Sequence, residues 1–332
     1  MTGPDLPRAR GPVSATVLRR LAGESRELPS GTELGRCAPY GGDLQLALYV
    51  LYELHYRGFH GVDEGLEWDP DLLRVRARLE ERFSAALRGD ARPGGSAEEA
   101  LAELMDEPAG GRGGVSHFLL RHGERWQLRE YAALRSLYHL KEADPHLWVV
   151  PRLTGRAKAG MVAVEYDEFG AGRAENVHAR LYADLLADLR LSTRYGAYLD
   201  AAPSAMLAVT TLMSFFGLHR ALRGALVGHF AAVEVTSSPA SARLADALRR
   251  CDAGRAAQRF YDEHVEADAV HEQLVRREVI AGLLAEEPEL DDEVVFGIRA
   301  TELVEKRLAT RLLAAWGEGR SALLSAVGGP AR

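Results

Sequence analysis

From about residue 116 to 316, apolar positions recur at intervals of three and four almost without interruption. This is the pattern of helices that bury one stripe and wet the other. The periodic stretches run over about 116–142, 153–168, 174–190, 204–236 with a break near Gly217, 240–249, 254–285 and 292–316. No period-two run of strand length lies between them and no internal repeat is present. The predicted class is all-α. Long helices that carry acidic and imidazole side chains inside apolar stripes are the material of bundle-core metal sites.

The first third reads differently. Residues 1–35 are rich in Gly, Pro, Ser and Arg, which predicts a mostly irregular leader with one short helix near Ala15 to Ala22. DLQLALYVLYELHY and DPDLLRVRARLEERFSAAL then show helical periodicity, the second opening with Asp69 and Pro70 in helix-start positions. GDARPGG and PAGGRGG break the pattern, and the boundary is placed in the second, at Gly110 to Gly114. The expected division is an N-terminal helical region of unknown role over 1–115 and a main domain over 116–320.

Chemistry enters through polar residues on apolar faces. His264, Asp268 and His271 stand at i, i+4 and i+7, within an arc of roughly 60° on one helix. Ala257, Phe260, Leu274 and Val275 continue that face. Two imidazoles and a carboxylate are costly to bury together unless paired or bound to a metal. The alternative is a solvated acidic helix, since Glu263, Glu266 and Glu272 charge its other faces. Other helices repeat the anomaly. Glu234 shares a stripe with Val227, Phe230 and Ala231, His178 with Leu181, Tyr182 and Leu185, and Glu142 ends a stripe of Tyr131, Leu134 and Tyr138. Glu168 lies ten residues before His178, about 80° away on an unbroken helix, with Gly170 and Gly172 between to let the backbone adjust. Glu165 competes for the same role. Glu53 and His55 are left out, because neighbours two apart diverge on a helix.

Composition narrows the chemistry. With 41 basic against 48 acidic residues, a net charge of -7 and no basic block, nucleic acid is not an expected partner. Cys37 and Cys251 are too few for a disulfide scaffold or a thiolate zinc site. No run reaches the roughly 18 apolar residues of a transmembrane helix, and no signal-peptide core is present. A cytoplasmic protein, not a membrane one, is expected. Histidines and carboxylates without cysteine favour iron or manganese before zinc. Six or seven such ligands exceed one open site, so two ions are implied.

KEADPH, PRLTGRAKA, EYDEFGAGR, ALVGHFAAVE and DEHVEADAVHE resemble stretches of the haem-oxygenase-like di-iron oxidases and oxygenases, in particular the bacterial iron-containing redox enzymes. The resemblance covers about 116–315, with weaker similarity at YVLYELHYRGF. It implies a haem-oxygenase-like helical bundle with an additional N-terminal helical region. It also implies two non-haem Fe(II) ions held by Glu142, Glu168, His178, Glu234, His264, Asp268 and His271. The implied activity is dioxygen-dependent oxidation of a small organic substrate by N-oxygenation, C–C cleavage or desaturation, with an electron donor and a homodimer left open. Tyr138, Tyr182, Phe230, Phe260 and Tyr261 lie within a turn of these ligands and are candidates for the substrate pocket, against a reading as ordinary core aromatics. The rivals are a metal-free or haem-binding enzyme of the same fold, and an iron-binding or partner protein without turnover.

Overall fold

The computed structural model describes residues 3–92, 94–106 and 114–326. Of the expected boundary, Gly110 to Gly113 lie outside the described residues, as do the side chains of Asp268 and Ala269. The N-terminal region holds α1 (Pro12–Leu21), α2 (Gly31–Arg36), α3 (Gly42–Glu53), α4 (Pro70–Asp90) and α5 (Ala97–Met105). The remainder comprises α6 (Val115–His122), α7 (Arg125–His139), α8 (Gly155–Glu168), α9 (His178–Asp188), α10 (Ser204–Leu218), α11 (Arg223–Arg250), α12 (Arg255–Leu274), α13 (Ala281–Glu286) and α14 (Asp291–Gly317). Among the described residues there is no strand.

The leader is more ordered than its composition suggests. Val13, Val17 and Leu21 recur every fourth residue and bury one face of α1 against α3. The Asp43 carboxylate accepts the backbone N–H groups of Val13 and Ser14 at 3.1 and 2.7 Å. It thereby caps α1 from a neighbouring helix, which local sequence does not reveal. The start of α4 is as expected, with Asp69 capping Asp71 and Leu72 and Pro70 in the first turn. Helix α5 forms inside the stretch expected to be broken, nucleated by a capping box of Ser96 and Glu99.

Three boundaries differ from the periodic reading. The expected helix over 116–142 divides at Gly123 into α6 and α7. The expected break before residue 240 is absent, because α11 runs through Pro239. Proline removes one helical hydrogen bond, yet Ser241, Leu244, Ala245, Ala247 and Leu248 beyond it are buried, and that packing outweighs the loss. The expected helix over 254–285 is α-helical only to Leu274, after which Val275–Ile280 widen into a π-helix. The break near Gly217 is present, with α10 and α11 meeting at 107°.

Helix α11 is the centre of the bundle, packed by α5, α6, α10, α12 and α14. Gly228 on α11 and Gly297 on α14 let these two backbones cross in contact, since a Cβ on either would collide with the other helix's carbonyl oxygens, Val294 and Ala225. The N-terminal helices share this core: α3 lies on α10, and α5 on α11 and α14. Among the described residues no single helix is long and apolar enough to cross a membrane.

Candidate metal centre

Four segments converge on α11. Glu142 follows α7 in a tight turn, where Lys141 N–H donates to Tyr138 O at 3.0 Å and Ala143 adopts a left-handed φ of 73°. A non-glycine residue there is uncommon and marks a turn held by its surroundings. Lys141 is part of that hold. Its buried ammonium meets Glu53 Oε2 of α3 at 3.1 Å and lies over the rings of Tyr49 and Tyr56. Arg57 also donates to Leu140 O at 3.0 Å. Glu53 and His55 do diverge, His55 turning to Glu67 and Arg76.

Glu168 ends α8 and His178 begins α9. They are not brought together by a shared helical arc. Gly170, Ala171 and Gly172 all have positive φ, of 72°, 51° and 80°, and reverse the chain so that His178 Nδ1 lies 2.7 Å from Glu168 Oε2. Glu234 comes from the middle of α11. His264 and His271 come from one face of α12, two turns apart, both buried.

The ligand atoms form two groups. Glu142, Glu168, His178 and His264 offer atoms all within 4.8 Å of one another, and so do Glu168, Glu234 and His271. Glu168 belongs to both. Six of the seven expected ligands are therefore brought together, while the seventh, the side chain of Asp268, lies outside the described residues. Its backbone sits in α12 between the two histidines.

Hydrogen bonds orient the ligands. Nδ1–H of His264 donates to Phe260 O at 2.7 Å, which turns Nε2 toward Glu142 Oε2 at 3.8 Å. Nδ1–H of His139 donates to Glu142 Oε1 at 2.7 Å, and Glu142 Oε2 is buried without a hydrogen bond. His271 places Nδ1 3.1 Å from Glu234 Oε2 and 3.7 Å from Glu168 Oε1, with Nε2 3.3 Å from Asp167 Oδ2. Although only 2.7 Å apart, His178 Nδ1 and Glu168 Oε2 are not aligned as a hydrogen bond. The all-nitrogen-and-oxygen donor set fits iron.

The electrostatics describe a crowded carboxylate site. Burial pushes the Glu142 carboxyl up, but His139 and His264 outweigh it and hold it well below the usual range. Burial lowers the His178 imidazole, and the Glu168 carboxylate more than offsets this, for a net rise. Glu165, one turn before Glu168, is raised well above its ordinary value by burial and then by Glu168, Glu234, Asp144 and Glu142. Neither of its oxygens has a hydrogen bond. Glu168, not Glu165, is in the two ligand groups.

A cavity of about 300 Å³ opens on Glu142 and His264. Tyr138, Phe260 and Tyr261 line it, together with Val209, Met213 and Leu244. Tyr182 and Phe230 are placed elsewhere: Tyr182 donates to Ala132 O at 2.9 Å and lies tilted against His139, and Phe230 packs on His146. Sequence reasoning missed His139, Asp167 and Lys141. His139 carried a signal, being three residues before Glu142 and next to the Tyr131–Tyr138 stripe. Asp167 and Lys141 did not, since their partners are distant in the chain.

Comparison with curated proteins gives no match. A family model described as iron-containing redox enzyme matches residues 129–306, which include every ligand named above. With an all-helical, haem-oxygenase-like fold and a histidine and carboxylate centre in its core, the chain belongs to the iron-containing redox enzyme family.

Proposed function

We propose that this protein is a dinuclear non-haem iron oxidase or oxygenase, which uses dioxygen to oxidise a small organic molecule held in the cavity beside Glu142 and His264. The observation that carries this reading is the position of Glu168, common to both ligand groups, so that this one residue would help to hold both ions. Two ferrous ions would supply the electrons that dioxygen requires.

The chain's own residues prepare the site. The Phe260 carbonyl fixes the His264 tautomer so that Nε2 is the ligating atom. His139 occupies one oxygen of Glu142 and leaves the other for metal. If Nδ1 of His271 ligates, its Nε2–H donates to Asp167, the outer-sphere carboxylate that metal-bound imidazoles commonly have. Tyr138, Phe260, Tyr261 and Met213 wall the cavity and would exclude water from the reacting centre. A haem-binding reading leaves carboxylates from three separate segments around the imidazoles without a role. A metal-free reading leaves the buried Glu142 Oε2 without a hydrogen bond, its nearest imidazole nitrogen being His264 Nε2 at 3.8 Å.

The test is oxygen uptake by protein loaded anaerobically with ferrous iron and then mixed with aerated buffer, with and without small amines. Uptake should require iron, exceed that of free ferrous ion, and be lost in His264→Ala. Uptake equal to that of free ferrous ion would exclude an oxidase.

A further inference from the structure

A second depression reaches the metal centre. It is a cleft of about 310 Å³ lined by Asp167, Asn176, His178, Glu263 and Glu266 among others, and it shares no lining residue with the cavity beside Glu142. We propose that this cleft is the port through which divalent iron enters, with Glu263 and Glu266 as its capturing carboxylates; the proposal rests on the metal-centre reading above.

Acidic residues on a helix surface are ordinary, and their charge alone assigns nothing. Among the described side chains of α12, however, the other exposed or half-exposed acids are neutralised: Asp262 pairs with Arg249 at 2.5 Å and Glu272 with Arg276 at 2.9 Å. Glu263 and Glu266 are exposed and, among the described residues, have no such cation; no lysine or arginine lines the cleft, and the nearby Arg259 is engaged with Asn176 at 3.0 Å. The second observation lies at the floor. His178 lines the cleft, is only 3% exposed, and its Nδ1 stands 2.7 Å from Glu168 Oε2 without an aligned hydrogen bond, so the cleft floor is a ligand of the first group. Asp167 lines the same cleft and touches His271 Nε2. The cleft therefore meets one ligand of the first group directly, and one of the second through a single carboxylate.

Two uncompensated negative charges at the mouth raise the local concentration of a divalent cation and accelerate its capture, an effect that salt screens. From there the cation would pass to His178 and Glu168. The first cavity meets Glu142 and His264, so iron and substrate would use separate approaches.

The test follows ferrous uptake by the full-length, metal-free protein under argon, by rapid mixing and quenching with a ferrous chelator. Glu263→Gln/Glu266→Gln should slow uptake about tenfold at low ionic strength and flatten its salt dependence, with the equivalents bound at equilibrium unchanged. Glu263→Lys/Glu266→Lys should slow it further. Glu24→Gln/Glu27→Gln, which removes the same charge from the exposed leader, should match the wild type. Uptake by the Gln double variant equal to that of the leader variant overturns the proposal. So does loss of bound equivalents at equilibrium, which would make these residues ligands. Failure of the wild type itself to hold iron would instead count against the metal-centre reading.

Discussion

His178 Nδ1 and Glu168 Oε2 stand 2.7 Å apart across a reversal built from three consecutive residues of positive φ. Gly170 is the tightest point of that turn, because a Cβ there would lie 2.6 Å from Val177 N. Gly170→Ala should cost about 1–3 kcal/mol of stability. It should also lower ferrous affinity, because the turn positions two ligands at once. Denaturant unfolding and iron titration of the same sample separate the effects. Loss of stability with undiminished affinity would show that the reversal does not set the ligand geometry.

Asp167 is expected to orient His271 without binding metal. Asp167→Ala should weaken ferrous binding about 10- to 100-fold with little change in unfolding free energy, since the side chain is 49% exposed. Unchanged affinity in an equilibrium titration would remove Asp167 from the centre.

The buried Lys141–Glu53 pair ties the N-terminal region to the turn that carries Glu142. Glu53→Leu alone leaves a buried ammonium unpaired and should cost about 3–5 kcal/mol. Glu53→Leu combined with Lys141→Met should recover much of that loss in urea unfolding. Recovery will be incomplete, because Tyr195 also donates to Glu53, at 2.6 Å. Additive losses in the double variant would contradict a direct pair.

Burial depresses the His146 imidazole to about 4. Between the ordinary imidazole value of 6.5 and that value, the unfolded chain binds a proton that the folded chain does not. Its contribution is therefore complete above pH 6.5 and lost as pH falls through about 4, with a total of about 3 kcal/mol. His146→Leu should flatten the decline of unfolding free energy between these limits, relative to wild type in the metal-free protein. Parallel profiles for the two would contradict a buried neutral His146.

How much of this was readable in the chain depends on how far each cause reaches. The helices of the main domain rest on apolar periodicity, and a polar residue on an apolar face is a local signal that singles out Glu142, His178, Glu234, His264 and His271; spacing leaves Glu168 and Glu165 both open, and the choice of Glu168 comes with the family resemblance. Spacing puts Glu168 and His178 near one face of an unbroken helix with glycines between them to let the backbone adjust; in the structure the helix ends at Glu168 and the chain reverses through Gly170, Ala171 and Gly172. Helix α11 passes through Pro239 because tertiary burial overrides a local breaker. Capping of α1 by Asp43 and anchoring of Lys141 by Glu53 join residues distant in the chain, and no local pattern encodes them.

The central claim is that Glu168 joins two ligand groups into one dinuclear centre. Anaerobic equilibrium titration with ferrous iron tests it most directly, counting equivalents bound per chain in the wild type, Glu168→Ala and Glu234→Ala. The account predicts about two equivalents for the wild type, weakened binding of both in Glu168→Ala, and chiefly one weakened in Glu234→Ala. Saturation of the wild type at a single equivalent, or a Glu168→Ala protein that still binds two with undiminished affinity, would contradict it.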